Sequence, residues 1–423
     1  MSIPKNLCFV CVFILCAAIV CPAEAESGLP PAISPAEYAA WPVGELHITG
    51  LKRTRRSVID AIWRRQSVER LSDFDEYEFT QALYKTGIFD SPEYVYILDG
   101  EQIDIYLSVK EKWSLIPAPR LNITSDDQTY GALLMESNFL GLNKFLIITG
   151  AYSTKNGVDG FIEYGEPDLI PGKLGFTLGG GFGSLKDADW LDFDGKVKGQ
   201  YSDLSFIGYG GLFYNLKPEF KAGVLGSFEH HGITRADDAT GLDGTRRFLI
   251  GRLWLEYDRQ QYTGTISTGF LARSIVTLGR DFYDSSVFTG VDLTATYTRQ
   301  LAHNVYGRIG GDVSLLDKPF LQETVWGAAD HSRTLAPLNH DQHLAGSIEA
   351  EWALLNLSWS SFSIKTVYEA GLYQRDEWAW RSYHGPAVGT RMYLRGIAVP
   401  AMGIDFGYNV RDNYFNFSAT IAF

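Results

Sequence analysis

From about residue 113 to the C-terminus, apolar and polar residues alternate with a period of two, as in strands whose two faces meet different surroundings. Val291, Leu293, Ala295 and Tyr297 interleave with Asp292, Thr294, Thr296 and Thr298. Val305, Gly307, Ile309, Gly311, Val313 and Leu315 interleave with Tyr306, Arg308, Gly310, Asp312 and Ser314. Met402, Ile404, Phe406 and Tyr408 do so with Gly403, Asp405, Gly407 and Asn409. The final segment is the most regular. Phe415, Phe417, Ala419, Ile421 and Phe423 share one face, and Asn416, Ser418, Thr420 and Ala422 the other. Strands of a soluble sandwich run to roughly five or six residues, whereas membrane-spanning strands need about 9–11. The longer segments predict a transmembrane antiparallel β-barrel.

Such segments start near residues 115, 129, 144, 158, 172, 196, 208, 219, 246, 262, 287, 304, 343, 362, 386 and 401–414. They give about 16 strands, an even count of the kind single-chain barrels favour. Fourteen stays open, because 196–215 is ambiguous and the last two strands crowd together. The polar stretches 184–195, 231–245 and 318–341 suit extracellular loops, and Arg411-Asp412-Asn413 suits a periplasmic turn.

Before the barrel the period changes. Leu46 and Ile48 mark a short strand over 45–49, which Gly50 ends. Thr54 can cap a helix to about Arg65 with Val58, Ile59 and Ile62 on one face. Asp73, Asp75 and Glu76 stand where the next helix N-terminus favours negative charge. That helix turns Phe79, Ala82 and Leu83 inward and stops at Gly87. Two strands follow, 93–98 and 102–109, joined by Asp99-Gly100. The order is βααββ, a small α+β domain over 43–112.

Composition agrees with a barrel. The chain has 423 residues, with 23 Tyr, 25 Phe, 10 Trp and 43 Gly. No apolar run of about 20 residues, the length a helical span needs, follows the N-terminus. Alternation hides hydrophobicity in the average. Lys5, the apolar run 7–21 and Ala23-Glu24-Ala25 read as a secretory signal peptide over 1–25, ahead of a Pro/Ala/Ser-rich lead-in over 26–42. All four cysteines (Cys8, Cys11, Cys16 and Cys21) lie in the signal, so cleavage after Ala25 leaves a chain without disulfide or thiolate chemistry. The net charge of −13 argues against nucleic-acid binding.

The local words carry a resemblance. "ITGLKRTRRSVIDAI", "ALYKTGIFDSPEYVYI" and "VKEKWSLIP" resemble the first strand and helix, the second helix and middle strand, and the exit segment of a POTRA domain. "NFLGLNKFLIITG", "FSIKTVYEAGLYQ" and "GPAVGTRMYLRGIAVPAMGIDFGYN" followed by "FNFSATIAF" resemble barrel strands of the BamA/TamA superfamily, the bacterial surface antigen family. Phe415, Phe417, Ile421 and Phe423 look like the C-terminal signal by which outer-membrane barrels are identified for insertion.

The resemblance covers nearly the whole mature chain and implies a place in the outer membrane with the POTRA domain in the periplasm. It also implies contact with outer-membrane lipids, with nascent outer-membrane or secreted proteins, and with a periplasmic partner through POTRA. The family's inserted sixth loop bears a Val/Leu-Arg-Gly-Tyr/Phe motif. Leu394-Arg395-Gly396-Ile397 has those letters, but on the third-last strand. "WGAADHSRTL" stands at the right distance, with Arg333 in the arginine's place and the glycine and aromatic missing. By resemblance Arg333 would reach Glu369, whose parity with Lys365 places it inward, since a buried guanidinium needs a carboxylate.

The family's working parts would be a POTRA edge strand, Glu93, Tyr94, Val95, Tyr96 and Ile97, and a seam between the first (115–125) and last (414–423) strands that opens laterally. The expected role is insertion of outer-membrane proteins or translocation of a polypeptide, without chemistry. The alternative is a passive channel or structural barrel. An enzyme would need a catalytic constellation. His230-His231 and His340/His343 fall in expected loops with Ser332 nearby, and read as solvated loop residues. No spacing resembles a metal site. Gly179 to Gly183 lies in a strand rather than a phosphate loop, and no cofactor is expected.

Overall fold

A computed structural model describes residues 35–423 apart from 124–127, 155–156, 171, 192–196, 236–243, 262–265, 318–341, 375–379, 397–400, 412 and 423. The signal peptide and most of the lead-in, Phe423, Arg333, Ser332 and His340 therefore lie outside the described residues.

The small domain is a three-stranded sheet covered by two helices. β1 (Val43–Thr49) runs parallel to the central β3 (Gln102–Glu111), and β2 (Phe89–Asp99) runs antiparallel to β3 on its other side. Helices α1 (Arg56–Gln66) and α2 (Glu76–Lys85) bury Val58, Ile59, Ile62, Phe79 and Leu83 against Ile103, Ile105 and Leu107. Asp75 caps α2 by accepting the Glu78 N–H at 2.9 Å. Thr54 does not cap α1: the N-cap is Arg55, with no side-chain bond, and the Thr54 hydroxyl is taken by the barrel. Gly87 leaves α2 at φ +71°, and Gly100 turns the β2–β3 hairpin at φ +62°.

The rest is a 16-stranded antiparallel sheet in chain order. Its strands are β4 (Leu115–Ile123), β5 (Gln128–Phe139), β6 (Lys144–Ser153), β7 (Gly157–Ile170), β8 (Leu174–Leu191), β9 (Val197–Lys217), β10 (Phe220–Arg235) and β11 (Gly244–Gln261). They continue with β12 (Thr268–Asp281), β13 (Val287–Ala302), β14 (Val305–Leu316), β15 (Gln342–Asn356), β16 (Ser360–Gln374), β17 (Arg381–Leu394), β18 (Ala401–Asn409) and β19 (Tyr414–Ala422). The expected number is right through two compensating errors. Residues 196–215 form one strand rather than two, and 401–414 opens two strands rather than one. Gly208 and Gly210 resemble a turn in the sequence but sit in register inside β9, paired with Gly180 and Leu178 of β8.

Three other expectations are corrected. Strands β8 and β10 run through Leu191 and Arg235, well into the stretches expected to be loops, paired in register with β9. His231 and His343 are accordingly strand residues of the inner wall, buried against Asp203 and Asp312, and His230 is a strand residue too. Arg411-Asp412-Asn413 is not a proximal turn. β4 leaves the end that carries the small domain, and strict alternation of direction puts the β18–β19 turn at the opposite, distal end.

Alternation sorts the two faces of each strand. Leu249, Leu253, Leu278, Leu293, Ile309, Ile348 and Trp352 are exposed on the outer wall. Asp281, Glu349, Glu351, Lys365 and Asp405 are buried on the inner one. On β11 the outward positions from Leu249 to Tyr257 are apolar or glycine, with Arg247 above and Arg259 below. Such a band fits the roughly 25 Å that lipid-facing barrels present. Leu253→Arg, at the middle of that band, is expected to cost about 2–4 kcal/mol in urea unfolding of the barrel in lipid vesicles. A stability unchanged from wild type would show that this face does not meet lipid.

Candidate functional site

Three features of the fold offer work: the junction of the two ends of the sheet, the charged inner wall, and the free edge of the small sheet. β4 and β19 lie side by side, yet among the described residues no hydrogen-bonded ladder joins them. Among the described residues the barrel strands here are also the shortest, nine residues each in β4, β18 and β19. β8 and β9 elsewhere in the wall have 18 and 21. Phe415 is exposed and packs against Phe406, and the backbones of Phe417 and Ile421 pair with Phe406 and Met402.

The inner wall beside the junction carries an alternating chain of charge across five strands. Arg308 of β14 meets Glu349 of β15 at 3.2 Å. Lys365 of β16 lies 3.7 Å from Glu349 and 3.6 Å from Asp405 of β18. Arg391 of β17 donates to Asp405 at 2.5 Å. One row away, Glu351 accepts from Tyr393 at 2.6 Å and from Ser363. Nearer the distal rim, Tyr383 donates to Glu369 at 3.0 Å. His343 Nε2 lies 3.0 Å from the Tyr383 hydroxyl and its Nδ1 lies 2.8 Å from Asp312. Glu369 thus faces the lumen in a polar cluster with Tyr383, His343 and Asp312. Sequence parity pointed inward at Glu369 and Lys365. The partners Arg391, Asp405, His343 and Tyr383 come from strand register, which the sequence alone does not supply.

Leu394-Arg395-Gly396 ends β17 at the proximal side, the third-last strand, and not in a distal loop. There Gly396 accepts the backbone N–H of Trp113 at 2.6 Å, and Arg395 donates to Ser361 at 3.4 Å. The segment ties the connection between the domains to the barrel.

The small domain docks on the proximal turns. Glu111 accepts the N–H groups of Lys52, Arg53 and Thr54 at 2.8–3.0 Å, shaping the loop before α1. That loop holds the barrel: Asn138 donates to Thr54 at 2.8 Å, and Arg55 N–H donates to Gly141 at 2.8 Å. Gly141 has φ +73°, and a Cβ there would stand 2.2 Å from the Arg53 carbonyl, so only glycine permits this approach. Arg65 pairs with Asp168 at 2.5 Å and Lys85 with Asp258 at 3.4 Å, while the Arg53 guanidinium lies over the Trp113 ring. The sequence marks none of these residues for docking: there Thr54 reads as a helix cap and Arg65 as the end of that helix.

In the small sheet, β2 and β1 are the edges. Of the candidate edge residues, Tyr94 and Tyr96 face the helices. Tyr94 bonds Thr80 at 2.9 Å and Tyr96 donates to Glu76 at 2.6 Å. Burial, then the Glu76 carboxylate, pushes the Tyr96 phenol upward, so it stays a donor. Glu93, Val95 and Ile97 alternate with them on the opposite face. A bulge between Asp90 and Glu93, with Ser91 at φ +46°, bends the start of the edge.

No protein-family model matches the chain, and no curated protein matches it in sequence. Among solved structures it is similar to BamA from Haemophilus ducreyi lacking POTRA domains 1–3. The TM-score is 0.54 and the identity 12%, over 90% of this chain and 83% of that one. It is similar also to CdiB from Acinetobacter baumannii, with a TM-score of 0.54 and 13% identity over 91% of this chain and 71% of that one. At these identities the likeness is one of fold: a small α+β domain leading into a large antiparallel barrel.

Removing one member of the inner-wall chain should leave its neighbour charged and poorly partnered. Arg391→Met is expected to lower barrel stability by about 3 kcal/mol, whereas Arg391→Met combined with Asp405→Leu should recover most of the loss. Urea titrations of wild type, Arg391→Met, Asp405→Leu and the double variant in the same vesicles decide it. A double variant as unstable as the sum of the single ones would mean that the pair does not act as a unit.

Proposed function

We propose that this protein is an outer-membrane barrel that helps polypeptides insert into or cross that membrane. It would do so by capturing an extended segment on its periplasmic POTRA-like domain and parting the junction between β4 and β19. The observation that carries the reading is the junction itself. In lipid an unpaired backbone group costs several kcal/mol, so a ladder of normal length would make opening prohibitive. Short strands without a described ladder between them lower that cost. The free edge of β2, Glu93 to Ile97, suits strand addition, in which the guest backbone supplies the missing hydrogen bonds. The BamA-like and CdiB-like fold supports the same reading.

On this reading Arg333 reaches into the lumen and pairs with Glu369, joining the cluster of Tyr383, His343 and Asp312 and pinning the loop between β14 and β15. The terminal strand serves both as the insertion signal ending on Phe423 and as one side of the gate. No chemistry and no cofactor are involved. Among the described residues, the ion pairs from Arg308 to Asp405 on the inner wall favour this over the alternative of an open passive channel, because they pair charges that could otherwise draw ions.

The absence of cysteine after Cys21 makes the test clean. Ala118→Cys in β4 is combined in turn with single cysteines from Phe415 to Ile421 in β19, and the pair that crosslinks fastest locks the junction. Locking is expected to abolish delivery of substrate barrels, read as their abundance in the outer membrane, and reduction should restore it. Full delivery by the locked protein would exclude lateral opening. High single-channel conductance that locking leaves untouched would favour the passive channel.

A further inference from the structure

The outer wall of β10 to β12 carries a feature that neither the junction nor the lumen explains. An open furrow of about 640 Å³ crosses it, floored by Gly226 and Gly251 and walled by Val224, Leu249, Leu253 and Leu278. Gly226 and Gly251 face each other in register. A Cβ on Gly226 would meet nothing within 4 Å, and one on Gly251 would make only an ordinary contact at 3.8 Å. Neither has positive φ, so the fold does not require glycine at either place. The volume falls within the roughly 300–1,000 Å³ of small-ligand sites, but the lining is almost wholly apolar and the furrow opens sideways into the lipid.

At its distal end the furrow meets cations. Arg280 lines it and pairs in register with Leu249, which places Arg247, two residues on, diagonally across from Arg280. Diagonal neighbours lie about 7–8 Å apart, within joint reach of one phosphate. His230 stands directly opposite Arg247 on the same face. Among the described residues neither arginine has a carboxylate partner, and the Arg280 guanidinium rests only over the Phe282 ring. The adjacent acids Glu229 and Asp281 point the other way, buried in the inner wall, and Asp284 in the turn accepts the Ser286 N–H. Both arginines sit just above the apolar band, at the depth of outer-leaflet headgroups.

We propose that this furrow and the arginines above it form a binding site for one phosphate-bearing glycolipid of the outer leaflet. One acyl chain lies over Gly226 and Gly251, and a sugar phosphate is held between Arg247 and Arg280. A planar guanidinium recognises phosphate oxygens in pairs, and a second cation beside it selects a compact dianion over a phosphodiester. The glycines provide depth that a flat apolar wall lacks. The proposal rests on the outer-membrane reading for its biology but not for its test.

The full barrel is reconstituted in phosphatidylcholine nanodiscs doped with either bisphosphorylated lipid A or phosphatidylglycerol, and retained lipid is counted by native mass spectrometry. Wild type is expected to retain lipid A in preference to phosphatidylglycerol. Arg247→Ser with Arg280→Ser should lower lipid A retention about tenfold, as for loss of two charge-assisted contacts to one anion. Gly226→Leu with Gly251→Leu, which fills the furrow and keeps both charges, should lower it as well. Arg259→Ser, which removes an outward arginine from the other end of β11, should change nothing. Heat-modifiable mobility confirms that each variant is folded. Equal retention of lipid A by wild type and the double arginine variant would overturn the proposal, as would equal retention of the two lipids by wild type. Cell fractionation tests the location separately: a barrel in the outer membrane that retains no lipid A sinks this site alone.

Discussion

Inside a bilayer the backbone has no water to turn to, and every N–H and C=O must find its partner within the protein. The architecture follows from that constraint. Each strand from β5 to β18 is paired on both sides, and the side-chain period of two divides an apolar outer wall from an inner one that holds the buried charges together with an apolar cluster around Phe248 and Phe288. The constraint also marks the place where it is least well met. The two ends of the sheet adjoin without a described ladder, and they do so where the strands are shortest. A barrel meant only to be stable would gain by zipping that junction.

Charge is the second consequence of closure. A lumen lined by sixteen strands gathers acids and bases that sequence scatters over hundreds of residues, and their mutual distances are fixed by register. Lys365 between Glu349 and Asp405, with Arg308 and Arg391 at the flanks, couples β14 to β18 through side chains as well as backbone. That wall adjoins the junction through β18 and β19. On the proposed reading, a wall cross-linked by ion pairs next to a junction without a described ladder would let a lateral strain concentrate at the junction.

What could be read from the sequence follows the same physics. Dyad alternation identified the barrel, and helical spacing with the acids Asp73, Asp75 and Glu76 at a helix N-terminus identified the small domain, because both are local signals. The length of β9 was hidden because Gly208, Gly210 and Gly211 mimic a turn, although register places them in mid-strand. The histidines were misplaced for a related reason: polar residues on a lumen face carry the same composition as a loop. The side of the Arg411–Asn413 turn depends on counting every strand before it, so an error anywhere propagates there. The interdomain contacts could not be foreseen at all, since Thr54, Arg55 and Arg65 meet barrel turns far away in sequence.

Those interdomain contacts bear on how capture and opening could be linked. The small domain is fixed to the turns after β5 and β7 and, through Lys85, to the foot of β11, while Trp113 leads from it straight into β4 and is tied to the foot of β17 by Gly396. β4 is one edge of the junction, and β17 is two strands from the other. On the proposed reading, a load on the edge of β2 would pass through β3, with which it pairs, and then through Lys112 and Trp113 to β4. The domain is therefore fixed to the turns after β5 and β7 and to β11, and it continues into β4 through a single short connection. Coupling of that kind needs no distant conformational wire. Like β19, β4 has a described ladder on one side only, along β5.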